Sequence, residues 1–259
     1  MTDRSFVAVG DVMLDVSAAG KGHAASIEVR AGGSAVNAAV WAAASGADAT
    51  VVGHVGDDLA GRAVRVELEE RNVHAELSTD PEAPTGTFLV IDGEIRADRG
   101  ANARFEPVHL PAELHADVVL LSGYVPSETV ATAADRTVAT WVALAPGFLD
   151  PSPEGVDAVL VNEMEARRLT GREPEAAARV LGASFRLACV TRGAAGAVAV
   201  LDGRLETRAA EPVDTARPVG AGDAFAACLL VALARGDDLG DALESACRTG
   251  ATVAAGVAP

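Results

Sequence analysis

Gly220-Ala221-Gly222-Asp223-Ala224-Phe225 opens an apolar helical run that continues to Arg235. Two glycines let the backbone turn tightly and present successive N–H groups at a helix N-terminus, where the dipole favours an anion. Asp223 falls in the first turn. There its carboxylate can accept a proton from a hydroxyl while the amides of Gly220, Ala221 and Gly222 stabilise a phosphoryl group in flight. The same residues also read as an ordinary glycine turn capped by an aspartate. A dinucleotide fingerprint is excluded, because the last glycine of G-x-G-x-x-G is replaced by Phe225.

Working outward from this stretch, the chain of 259 residues alternates strand-like and helix-like segments. Strands are expected at 5–10, 49–53, 117–121, 140–144, 158–161 and 187–191. Helices are expected at 34–44, 59–70, 127–136, 163–169, 173–181, 221–235 and 239–252. Such alternation implies an α/β fold with a mostly parallel sheet covered by helices. Two further pairs, 12–17 with 27–30 and 85–90 with 94–98, stand outside it. Asp92-Gly93 marks the second pair as a hairpin. Together they suggest a small sheet acting as a lid, formed by about 12–30 and 85–98. With no repeat or low-complexity linker, residues 1–259 are expected to form a single domain.

Hydrophobic residues make up 49% of the chain and aromatics only 3%, so the core is expected to be Ala, Val and Leu in close packing. A net charge of −16 argues against nucleic acid or an anionic membrane as partner. Lys21 is the sole lysine and is followed by Gly22, which removes both a P-loop and the strand lysine of protein kinases. Cys189, Cys228 and Cys247 lie in apolar surroundings and read as buried thiols of a reducing compartment. The N-terminus resembles no secretory signal, and no apolar run approaches ~18 residues, so a cytoplasmic location is expected. His23, His54, His74, His109 and His115 lack metal-ligand spacing and read as surface or packing residues.

GAGDAF resembles the C-terminal signature of the ribokinase-like, or PfkB, carbohydrate kinases. Other segments agree in order: Gly32-Gly33-Ser34-Ala35-Val36-Asn37 with the diglycine motif, then Gly56-Asp57-Asp58. Asn162-Glu163-Met164-Glu165 is similar to the Asn-x-x-Glu motif and Thr191-Arg192-Gly193-Ala194-Ala195-Gly196 to the nucleotide loop. The resemblance implies a three-layer sandwich with a small β lid. It implies ATP-dependent phosphorylation of a hydroxyl on a small sugar or sugar acid, with Asp223 as base. It also implies substrate binding by Asp15, Gly32, Gly33, Asn37 and Asn102, and nucleotide contacts from Thr191, Gly193 and Gly196. Asn162 and Glu165 would organise Mg²⁺ through water. The diglycine is expected to let main chain approach a polyol closely, and Gly193 and Gly196 to do so for the nucleotide. Relatives often dimerise through the lid, so a homodimer is expected.

Two alternatives stay open: a nucleoside kinase, and a catalytically weak ligand-binding relative. Few aromatics (Phe88, Phe105, Tyr124) are placed to stack on a base, which tilts the reading toward a sugar. One departure stands out. Relatives carry Asp-Thr just before GAGD, where the aspartate helps hold a K⁺ ion. Here Arg217 occupies that place and Asp214-Thr215 lies upstream, while the chain stops at Pro259, shortly after its last helix. The expectation is a changed activation site with no K⁺ requirement.

Overall fold

A computed structural model describes residues 4–147, 154–213 and 219–257. In chain order the main sheet is built from β1 (Arg4–Val9), then β4 (Ala47–Gly56), β5 (Val73–Asp80), β8 (Leu114–Ser122), β9 (Thr137–Ala145), β10 (Ala158–Asn162), β11 (Leu187–Thr191), β12 (Ala197–Leu201) and β13 (Arg204–Arg208). A second sheet holds β2 (Met13–Ala19), β3 (Ser26–Gly32), β6 (Gly86–Ile91) and β7 (Glu94–Asp98). The helices are α1 (Ser34–Ala44), α2 (Leu59–Glu70), α3 (Ser127–Asp135), α4 (Glu163–Thr170), α5 (Pro174–Leu181), α6 (Ala221–Arg235) and α7 (Leu239–Ala254).

Strand order in the main sheet is β13-β12-β11-β10-β9-β8-β1-β4-β5. Seven strands run parallel, and β12 and β13 add an antiparallel edge. The chain leaves β1 toward β4 on one side and later returns to β8 on the other. That makes the β1–β8 boundary a topological switch point, and in open α/β sheets the crevice at the carboxyl ends of such strands receives ligands.

Alternate residues of the sheet feed two layers, as the two-residue period requires. Phe6, Ala8, Val118 and Leu120 face α1, α6 and α7, whereas Val7, Val9, Val119 and Leu121 pack with Val130 and Ala133 of α3. Val159, Val161, Ala188 and Val190 continue the second layer under α4 and α5. The alanine content has a local purpose where α1 crosses α6. Ala35, Ala38, Ala39 and Ala42 of α1 are buried in one cluster with Phe225, Ala226 and Ala227 of α6. Small side chains let the two helices approach, which brings their N-termini together.

The helices lie within two residues of their expected ends, and the four strands expected to form a lid make one smaller sheet, order β3-β2-β6-β7. β5, β12 and β13 go beyond the sequence pattern. β5 (VHAELSTD) and β13 (RLETR) are the two edges of the main sheet, only partly covered, and so carry no apolar run. β12 pairs antiparallel with β11 across the tight turn of residues 193–196. No helix among the described residues is long and apolar enough to cross a membrane.

Candidate active site

The carboxyl ends of β1 and β8 meet the N-termini of α1 and α6 at the switch point. Gly220 caps α6 with φ +80°, a left-handed conformation that favours glycine. The first bond of the helix runs from the Ala224 N–H to the Gly220 carbonyl, 3.0 Å. The amides of Ala221, Gly222 and Asp223 precede it and have no carbonyl partner within the helix. Gly222 is exposed, with open space where a Cβ would stand. This end of α6 can therefore accept an anion.

Asp223, the third residue of α6, points across to α1. Its Oδ1 accepts the Ser34 hydroxyl at 2.7 Å and its Oδ2 accepts the Asn37 amide at 3.1 Å. Burial pushes its carboxyl up to about 7; those two hydrogen bonds oppose the rise, and the charges of Asp11 and Asp15 add to it. A carboxylate with that value is poised for proton transfer near neutrality.

Asp15 sits on β2 with Gly86 and Phe88 on the neighbouring lid strand and Gly32 at the end of β3. It is buried, its Oδ1 has no hydrogen-bond partner among the described residues, and burial raises its carboxyl to about 6, Arg30 opposing. An unpaired buried acceptor is costly, so this oxygen is suited to a donor brought by a ligand.

The diglycine works differently from the expectation. A Cβ on Gly32 would sit inside the Asp15 carboxyl group, and one on Gly33 would strike the Asp11 carbonyl. Gly33 also has φ +93° as the cap of α1. The close approach the pair permits within the protein is thus to two aspartates. Asn102 is a second correction: its amide donates to the Val12 carbonyl and accepts the Val12 N–H, both at 2.8 Å, inside the protein. It pins the β1–β2 connection and is buried there. Arg99 donates to the Tyr124 carbonyl, 2.7 Å.

Asn162 and Glu165, expected near the nucleotide, form a capping box at the start of α4, each side chain accepting the other's N–H at 2.9 Å. Burial raises the Glu165 carboxyl, with the Asn162 N–H and Arg168 opposing. Thr191 ends β11 with its hydroxyl 3.4 Å from the Val161 carbonyl. Gly193 faces open space, as a close ligand approach requires. Gly196 does not: the Arg208 carbonyl and Ala209 backbone occupy the place of its Cβ, so its closeness serves β13. Asp214, Thr215 and Arg217 lie outside the described residues.

Residues the sequence reading left out complete the centre. Asp11, buried, accepts the Ser34 N–H at 3.0 Å and the Ser122 hydroxyl at 2.8 Å. Tyr124 is half-buried, its phenol pushed to about 12 by burial and by the charges of Glu165, Asp223 and Asp11. The signal for Asp11 was a carboxylate directly after a buried strand; Tyr124 was noticed only as an aromatic.

The fold and site define an α/β protein that can hold an anion at a helix N-terminus beside a basic carboxylate and a hydroxyl-accepting one. The pfkB family carbohydrate kinase model matches residues 3–257, and the chain belongs to that family. It is 32% identical to the ribokinase of Bacillus subtilis over 86% of this chain and 80% of that one. It is 29% identical to the fructokinase of Klebsiella pneumoniae over 87% and 83%. The structure of Arabidopsis thaliana ribokinase, complexed with ribose and ATP, superposes with a TM-score of 0.79 at 22% identity, covering 98% of this chain and 93% of that one. The protein is a carbohydrate kinase of this family, with a three-layer α/β fold.

Proposed function

We propose that the protein transfers the γ-phosphoryl group of ATP to a hydroxyl of a small sugar or sugar acid in the cytoplasm. Asp223 is the base, and the backbone of Gly220, Ala221 and Gly222 is the anion hole. The observation that carries this reading is the Asp223 carboxylate at the head of α6, near enough to the orphaned Asp15 carboxylate for its charge to act on Asp223. Asp15 accepts one hydroxyl of the sugar and fixes its place. Asp223 then takes the proton of another as it attacks. The amides at the start of α6 stabilise the charge that develops on the transferring group.

The nucleotide lies along the end of β11 and the open Gly193 turn. Mg²⁺ supplies charge neutralisation on the phosphates when bound. Glu165 keeps one oxygen outside its capping box, and among the described residues no trio of ligating side chains could grip the ion directly. Asn162 and Glu165 thus suit an ion held through water, as Mg²⁺ commonly is.

Steady-state turnover of ATP across a panel of sugars, sugar acids and nucleosides is the test. The expected result is the highest kcat/KM on a sugar or sugar acid. Preference for a nucleoside would overturn the substrate reading, and no turnover on any of them would favour a ligand-binding relative.

The four-stranded sheet serves as the lid, and it also suggests the partner. Its Asp15 and Phe88 face points to the site. On the opposite face Val16 pairs with Val29 and Leu89, and Ala18 with Ile27 and Ile91. Ile27 is 66% exposed and Val29 56%. A small sheet with one apolar face open to water is marginal alone, and a second copy of the same face would cover it. A homodimer is expected in sedimentation at micromolar concentration, with Val29→Glu shifting it to monomer. A wild type that sediments only at 26.2 kDa rejects the dimer.

A further inference from the structure

The base is held by a strut that joins the diglycine segment to the head of α6. Ser34 is the first residue of α1, so its N–H has no partner within that helix. Asp11 supplies one from outside, accepting this N–H at 3.0 Å while its other oxygen takes the Ser122 hydroxyl at 2.8 Å. Ser34 is thereby fixed through its backbone and is 8% exposed. Among the described residues its hydroxyl makes one bond, 2.7 Å to Asp223 Oδ1.

We propose that Ser34 is a positioning residue for phosphoryl transfer. Its hydroxyl, anchored by the Asp11–Ser122 pair, holds the Asp223 carboxylate so that its remaining lone pairs face the acceptor hydroxyl. The proposal rests on Asp223 being the base.

Two physical consequences follow. A hydrogen bond donated to the ionised form favours it, so Ser34 keeps the carboxyl from rising further. The groups around Asp223 otherwise give it little help. Asp11 and Asp15 are negative and raise its carboxyl, and Tyr124, on which the Asp223, Glu165 and Arg168 charges act, has its phenol pushed up to about 12. Arg30 acts on Asp15 and Arg99 on Asp11. Ser34 and Asn37 are the donors that meet the carboxylate directly. With Asn37 on Oδ2, Ser34 on Oδ1 also tethers the second oxygen and so restricts rotation of the carboxylate.

The test compares Ser34→Ala, Ser34→Cys and Ser34→Thr by ¹³C-carboxyl titration of aspartate-labelled protein, with Asp223→Asn identifying the resonance. The pH dependence of kcat is measured in parallel. In Ser34→Ala the Asp223 titration is expected to move up by about one pH unit, the size of a lost bond to a charged group. The acid limb of kcat should follow, and kcat at pH 7 should fall by about tenfold with the sugar KM within about threefold. Thr keeps the hydroxyl and restores both readings. Cys, a weaker donor of similar size, falls between and covers an Ala variant too unstable to titrate. An unmoved titration in Ala and Cys, or a Thr variant no better than Ala, overturns the proposal. A titration that moves while the rate profile stays in place overturns the base reading instead.

Discussion

Asp223→Asn should lower kcat by ~10²–10⁴, the usual contribution of a positioned base, while ATP and sugar affinities stay within a few-fold. Asparagine keeps the shape of the site. Its carbonyl can still accept the Ser34 hydroxyl, and Asn37 can turn its amide over to meet the new donor. The loss would therefore report chemistry and not collapse. Stability gives an independent check of opposite sign. In the folded protein the Asp223 carboxyl titrates near 7, whereas the ordinary value is 3.8. The native state thus holds a proton that the unfolded chain has released. Stability linked to this group is present below about pH 4 and is lost as pH rises toward 7. Asn carries no such penalty, so the variant should melt higher than the wild type at pH 8, the gap closing near pH 4. In the wild type kcat/KM should fall as pH drops below about 7, where Asp223 takes up its proton. A variant that keeps more than about a tenth of the turnover would remove Asp223 from the role of base.

The sequence made the helices and the interior strands legible because each has its own signal. α2 shows apolar positions at helical spacing, α1 is an apolar, Ala-rich run, and β1, β8 and β11 are runs that only a sheet covered on both faces would bury. Edge strands lack that signal: β5 and β13 expose much of their length, and nothing in VHAELSTD or RLETR forces a strand without its neighbour. The site was legible in part for the same reason. GAGD marks a helix N-terminus by local chemistry, so Asp223 could be placed from its own neighbours. What Asp223 touches could not. Ser34 and Asn37 lie 189 and 186 residues away, and their contact depends on α1 and α6 packing through alanines. Asn102 misled by the same gap: its position along the chain suggested a ligand contact, while its burial under Val12 is a tertiary fact. Glycines were read as room for a ligand, yet Gly32 and Gly196 make room for the protein's own atoms.

Asp15→Ala should raise the sugar KM by about 10- to 100-fold with a smaller change in kcat, since a hydrogen bond to a charged group is worth about 1.5–3 kcal/mol. The warrant is the orphaned Oδ1, an acceptor buried without a partner in the free protein. A sugar hydroxyl would satisfy it, and truncation to Ala removes that gain. The same change relieves a buried carboxylate whose value is lifted to about 6, so the variant should be the more stable protein at pH 8. Weaker binding in a more stable protein separates a lost contact from a damaged fold. Gly32→Ala reaches the same site by another route. Its new methyl group would take the place of the Asp15 carboxyl, so the side chain or strand β3 must shift. Sugar KM should again rise while the charge remains, but here stability should fall, because the close packing of β3 on β2 is spoiled. In the wild type, sugar affinity should weaken as pH drops below about 6, where Asp15 becomes protonated and a poorer acceptor. Asp15→Ala should abolish that pH dependence of affinity, while the acid limb of turnover that belongs to Asp223 persists, moved toward lower pH because the Asp15 charge no longer raises it. Isothermal titration with the preferred sugar from pH 5 to pH 8 would measure it; an affinity flat in the wild type, or a sugar KM unmoved by both substitutions, would show that Asp15 does not hold the substrate.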